Sequence, residues 1–239
     1  MNQIIDKLRK ELIANSDEQL QKSNQRFFKE YIKGYGMKSA ILVKIGKEYF
    51  KAIKDIPKAE IFKLCDELWQ SGMIEESGIA CNWSYYIYKK YTPDDLQMFE
   101  KWIDSYVNNW ASCDGMCNHT VGKFLELYPE SISEMKRWAT SDNRWMKRAS
   151  AVSLIIPARH GLFLKDIFEI ADILLMDSED MVQKGYGWML KAASQAHQKE
   201  VFEYVMSKKS IMPRTALRYA IEKMPPELKI KAMEKLSEL

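Results

Sequence analysis

Apolar residues recur along this chain at the spacing of an α-helix. Ile61, Leu64, Cys65 and Leu68 fall at i, i+3, i+4 and i+7, one face of a 3.6-residue turn. Ile4, Ile5, Leu8 and Leu12 form a similar stripe near the N-terminus, interrupted by charge. Period-two alternation bounded by turn residues is almost absent. The pattern predicts an all-α chain of roughly a dozen helices. Pro57, Pro93, Pro129, Pro213 and the Pro225–Pro226 pair punctuate it at expected helix ends.

Four amphipathic stretches share a texture rich in small residues: EESGIACNWSYYIYKK, ASCDGMCNHTVGKFL, RWMKRASAVSLII and VQKGYGWMLKAAS. Aligning them puts Glu76, Ser112, Arg148 and Lys184 in register, at a constant spacing of 36 residues. A fifth stretch, MPRTALRYAIEKM, follows with Arg214. A helix-pair period in the high thirties is that of HEAT-like solenoids. The expected architecture is an α-α superhelix of HEAT-like helical repeats, with residues 1–239 as a single domain. The competing reading is an irregular bundle with coincidental spacing.

Composition adds a core and little net charge. Hydrophobic residues make up 46% of 239, and 36 Lys and Arg face 33 Asp and Glu, a net +3. A basic surface must therefore come from segregation of charge. Residues 166–180 carry six acids and no base, while 143–160 carry Arg144, Lys147, Arg148 and Arg159 and no acid. Lys184, Lys191, Arg214 and Arg218 continue the basic series. If alternate helices line one face, this distribution implies one positive groove for a polyanion; ordinary solvated faces are the plainer alternative. No run approaches eighteen apolar residues, so no membrane span is expected. Four cysteines and the lack of a signal-peptide pattern suit a cytoplasmic protein with reduced thiols.

Candidate chemistry concentrates in NNWASCDGMCNHTVG, residues 108–122. On a helix Trp110 and Asp114 lie one turn apart on one face, and Cys117 and Val121 would continue that stripe. Cys113, Cys117 and His119 could approach a metal, but a structural zinc site needs four ligands and no fourth is in sight. No metal is therefore expected; the cysteines read as small apolar residues, and His119 as an interior histidine. Trp110 and Trp188 have a plain reading as core, Asp114 as a cap or as a partner of Arg148, and Phe27 and Phe28 as core. Trp69, Trp83, Trp102, Trp138 and Trp145 read as packing.

Trp110-x-x-x-Asp114, then WATSDNRWMKRASAV, VQKGYGWMLKAAS and PRTALRYAIEKM, stand in the order and spacing of the AlkD-type family of HEAT-like repeat DNA glycosylases. The chain resembles that family from FFKEYIKGYG to its end. The resemblance implies duplex DNA held in a basic concave groove and hydrolysis of the N-glycosidic bond of N3- and N7-alkylated purines, with no metal or organic cofactor and without flipping the lesion into a pocket. It assigns the catalytic Trp, Asp and Arg to Trp110, Asp114 and Arg148, and a second cleft Trp to Trp188. Arg144, Lys147, Lys184, Arg214 and Arg218 are the expected DNA-binding cations. The partner would be alkylated or distorted double-stranded DNA, bound by a monomer. The chain departs from the pattern at Phe27, where family enzymes can carry Tyr, in GYGMKS, and in a longer connection, IPARHGLFLKD. Two other functions compete: a non-catalytic binder of branched or distorted DNA, which that connection favours, and a protein-interaction solenoid.

Overall fold

A computed structural model describes residues 2–234. It is all-α, with no strand among the described residues. The helices cluster into two compact units, one up to Thr120 and one from Val121.

The first unit contains α1 (Asn2–Ala14), α2 (Glu18–Gln25), α3 (Ser39–Ile53), α4 (Lys58–Gln70), α5 (Ile74–Tyr86), α6 (Asp95–Tyr106) and α7 (Trp110–Gly115). The stripe Ile61, Leu64, Cys65 and Leu68 is buried on α4, as its period requires. Trp69, Trp83 and Trp102 are buried with it, and the Trp83 indole donates to the Gly46 carbonyl at 2.8 Å. A π-helical stretch, Met116–Val121, follows α7.

The second unit contains α8 (Gly122–Leu127), α9 (Ile132–Ala139), α10 (Arg144–Val152), α11 (Ile155–Arg159), α12 (Leu164–Leu174), α13 (Asp180–Ala193), α14 (Gln198–Lys208), α15 (Arg214–Ala220) and α16 (Pro226–Met233). Here α13 packs against both α10 and α15. Two glycines make that possible. A Cβ on Gly185 would lie 3.3 Å from Arg148 Cγ of α10, and one on Gly187 would lie 2.7 Å from Tyr219 Cβ and 2.8 Å from the Ala216 carbonyl of α15. The small residues of the repeats are thus the places where neighbouring helices touch.

Most prolines mark helix starts rather than ends. Pro57, Pro213 and Pro225 are the residues capping α4, α15 and α16, with φ of −56°, −53° and −56°, which the pyrrolidine ring enforces without cost. The IPARHGLFLKD stretch is not an extended connection. It forms α11, a tight turn through Gly161, and the start of α12.

The repeat register is corrected by the caps. The residues preceding α5, α7, α10, α13 and α15 are Met73, Asn109, Asn143, Glu179 and Pro213. Their spacing alternates between 36 and 34, not a constant 36. Glu76 and Ser112 are therefore third residues of their helices, whereas Arg148 and Lys184 are fifth residues. The equivalent fifth positions are Gly78, Asp114, Arg148, Lys184 and Arg218.

Candidate functional site

The carboxylate candidate sits on a well-started helix. The Asn109 side chain accepts from the Ser112 amide at 2.9 Å and caps α7, satisfying a donor that the helix cannot. Trp110 and Asp114 follow, one turn apart and both half-buried. The stripe they begin does not run on through Cys117 and Val121. The π turn carries i→i+5 hydrogen bonds, which change the phase of the helix. Cys113, Met116, Cys117 and Val121 are fully buried, while Asn118 is half-buried and His119 exposed.

Trp110 is not a core residue. Its indole stacks on Phe28 with centroids 5.3 Å apart and planes 16° apart. Its N–H donates to the Phe27 carbonyl at 3.2 Å. Both partners belong to residues 26–38, a segment without regular secondary structure between α2 and α3. Phe28 is half-buried, and Phe27, expected in the core, is 63% exposed. It has no hydrophobic stripe of helix neighbours to bury it.

The segment is held down from α5. Glu75, 5% exposed, accepts from the amides of Tyr35 and Gly36, each at 2.9 Å, and of Met37 at 3.2 Å. Gly36 has φ +77°, and a Cβ there would fall 2.0 Å from the Asp17 carbonyl, so the bend requires glycine. The Tyr35 hydroxyl donates to Glu76 at 2.7 Å, and Arg9 pairs with the same carboxylate at 2.9 Å. Burial, and then the hydrogen bond to Glu76, push the Tyr35 hydroxyl far up.

Between this segment, α5 and α7 lies a cleft of about 470 Å³, walled by Phe28, Leu42, Ile74, Trp110 and His119 among others. Asp114 does not line it. His119 is not interior: it is solvent-accessible, with its ring 5.5 Å from that of Tyr85. Protein around the imidazole still removes enough water to lower its pKa from the ordinary 6.5. No group of three or more metal-ligating side chains is assembled among the described residues.

The second unit holds the remaining candidates. Arg148 is buried, 4% exposed, and its guanidinium donates to the Met181 carbonyl. It therefore ties α10 to α13 instead of projecting toward solvent. Trp188 is half-buried on α13, with Lys191 5.9 Å from its ring and 5.4 Å from that of Tyr219. Lys191 also pairs with Glu222 at 2.8 Å and holds that carboxyl below its usual range.

The cations are not segregated from the acids. Arg144 pairs with Glu179 at 3.3 Å, Lys147 with Asp177 at 2.8 Å and Lys184 with Asp180 at 2.7 Å. Those acids were expected on the opposite face; the bend between α12 and α13 brings them to α10 and α13. Arg214 and Arg218 are exposed and make no ion pair with a described residue. Sequence reasoning singled out Phe27, Phe28 and GYGMKS but not the packing of residues 26–38 on Trp110, nor Glu75, which holds them. Its one available signal was the interleaving of Phe27, Phe28, Tyr31 and Tyr35 with Arg26, Lys29, Lys33 and Lys38 in a stretch lacking helical period.

Comparison with known proteins agrees with the architecture. A family model described as DNA alkylation repair enzyme matches residues 8–224. Among solved structures, a "Predicted DNA alkylation repair enzyme from Enterococcus faecalis" superposes with a TM-score of 0.80 at 14% identity, over 89% of this chain and 98% of that one. At that identity the likeness speaks for the fold alone. A search among curated proteins gave no significant match. On the extent of the family match, the chain belongs to the family of DNA alkylation repair enzymes.

Proposed function

We propose that the chain is a DNA N-glycosylase that removes cationic N3- and N7-alkylated purines from duplex DNA. The observation that carries this reading is the pair on α7: a carboxylate one helical turn from an indole whose plane is fixed by Phe28 and whose N–H is fixed by the Phe27 carbonyl. In the reaction the C1′–N bond breaks and its electron pair leaves with the purine, which is thereby neutralised. The deoxyribose takes up the positive charge. Asp114 stabilises that oxocarbenium and orients the water whose oxygen bonds to C1′, the released proton passing to solvent. The Trp110 face supports cationic character beside it.

Arg148 enters this reading as a fixed positive charge held by the Met181 carbonyl, and Trp188 as an aromatic surface against the sugar–phosphate chain. Phosphate binding falls chiefly to Arg214 and Arg218. Arg144, Lys147 and Lys184 take part once their acidic partners are displaced. The partner is double-stranded DNA, the protein acting as a monomeric single domain in the cytoplasm.

The test is release of 7-methylguanine and 3-methyladenine under single-turnover conditions. Asp114→Asn preserves volume, and is expected to slow excision by about 10²-fold or more, the scale of losing one electrostatic stabiliser, with an unchanged melting temperature. A well-folded Asp114→Asn protein excising at the wild-type rate ends the catalytic assignment. Wild-type protein that releases no base yet binds a four-way junction tightly is the binder of branched DNA instead.

A further inference from the structure

The segment at residues 26–38 does more than brace Trp110. Phe28 lies against the indole, while two other large aromatics of the segment stay open to solvent, Phe27 at 63% exposure on the border of the cleft and Tyr31 at 78%. Exposed aromatics on a floppy loop would mean little. This loop is fastened at close intervals: Gln25 accepts from the Ile32 amide at 2.9 Å and donates to the Glu30 carbonyl at 2.7 Å. Ile74 donates to the Lys33 carbonyl at 2.9 Å, and Glu75 holds the three amides of Tyr35, Gly36 and Met37. The aromatics are therefore held out by a rigid frame, against their tendency to leave water. The same segment carries Arg26, Lys33 and Lys38, all exposed and none ion-paired with a described residue, and the Arg26 guanidinium lies 5.3 Å over the Phe27 ring.

Exposed aromatic faces and unpaired cations on one fastened segment match one kind of partner: a polyanion that offers flat apolar faces between its charges. We propose that residues 26–38 form a nucleic-acid contact of their own, in which Phe27 and Tyr31 stack on a nucleotide that has left the duplex stack while Arg26, Lys33 and Lys38 hold the flanking phosphates. This rests on reading the chain as a DNA-binding repair protein. It adds discrimination: a paired duplex offers phosphates to the cations but no free base face to the rings, so the segment favours DNA in which a nucleotide is displaced. Because the segment is tied by main-chain groups and by Gln25 and Glu75, and the Trp110 bond uses the Phe27 carbonyl, removing the two exposed rings leaves the fold and the Phe28–Trp110 stack in place.

The test compares binding to a fully paired duplex and to the same duplex with one bulged nucleotide. Phe27→Ala/Tyr31→Ala is expected to weaken the bulged complex by about tenfold or more, as loss of base stacking does, and the paired complex by under about twofold. Phe27→Tyr and Tyr31→Phe are expected to restore it. Unchanged Trp fluorescence and melting check the frame. A double variant that loses equally on both duplexes, or on neither, overturns the inference. If it loses on neither while Arg218→Ala weakens both, the contact proposed for residues 26–38 falls and the DNA-binding reading stands. Wild-type protein with no affinity for either duplex overturns both.

Discussion

Replacing Glu75 by Gln is the sharpest probe of how the Trp110 surroundings are held. The wild-type carboxylate serves three amides, Oε1 accepting from Gly36 and Met37 and Oε2 from Tyr35. Gln keeps one acceptor oxygen, so the Gly36 and Met37 bonds survive in weakened, uncharged form. The new amide group puts N–H donors where Tyr35 N–H needs an acceptor. A buried donor left unmet costs about 1–3 kcal/mol, and a hydrogen bond to a charged group is worth more than a neutral one. The sum is about 2–4 kcal/mol, a large share of the stability of a domain. The loss is local in origin: Tyr35, Gly36 and Met37 amides should exchange faster than the core of α4, and Trp110 fluorescence should shift as Phe28 leaves its ring. Urea unfolding read by far-UV circular dichroism gives the total, and hydrogen exchange gives the location. A Glu75→Gln protein within about 0.5 kcal/mol of wild type, with those amides still protected, would refute the reasoning.

Three further outcomes are expected. Gly187→Ala forces a methyl to 2.7–2.8 Å from Tyr219 Cβ and the Ala216 carbonyl, and backbone cannot yield as a side-chain end can; thermal melting should show a loss of about 1–3 kcal/mol. In salt titrations of DNA affinity, Arg218→Ala should flatten the log–log slope by about one unit, whereas Lys147→Ala should flatten it less, because binding must first part Lys147 from Asp177; equal slopes would count against the ion pair in solution. His119 should titrate below 6.5 by NMR. Its folded pKa is depressed, so the unfolded chain binds the proton more readily, and its contribution to stability, full above 6.5, is lost as pH falls from there through the folded value. A His119→Gln protein should lose less stability than wild type between pH 7 and 5.

The helical period and the small-residue repeats were legible because each is written within one element. Ile61 to Leu68 declare a buried face without reference to any neighbour, and Trp110 and Asp114 share a face because they are four residues apart on a capped helix. The buried Trp69, Trp83, Trp102 and Trp138 followed in the same way. The phase of the repeats was less secure. Two residues are missing from alternate repeats, and only the caps, Asn109 and Asn143, reveal where each helix begins.

What the sequence could not carry was the choice of partner between elements. Charge counts separated an acidic run from a basic one, yet Asp177 and Glu179 meet Lys147 and Arg144 across 30 to 35 residues. Arg148 has the composition of a surface cation and becomes buried only because Gly185 of the next helix admits its stem. Residues 26–38 have no period to read, since their hydrogen bonds run to Glu75, some 40 residues away. A chain's own period fixes which face of a helix turns inward. Which cation is neutralised, which aromatic stays in water and which amide finds a buried carboxylate depend on distances between segments, and those exist only once the helices have packed.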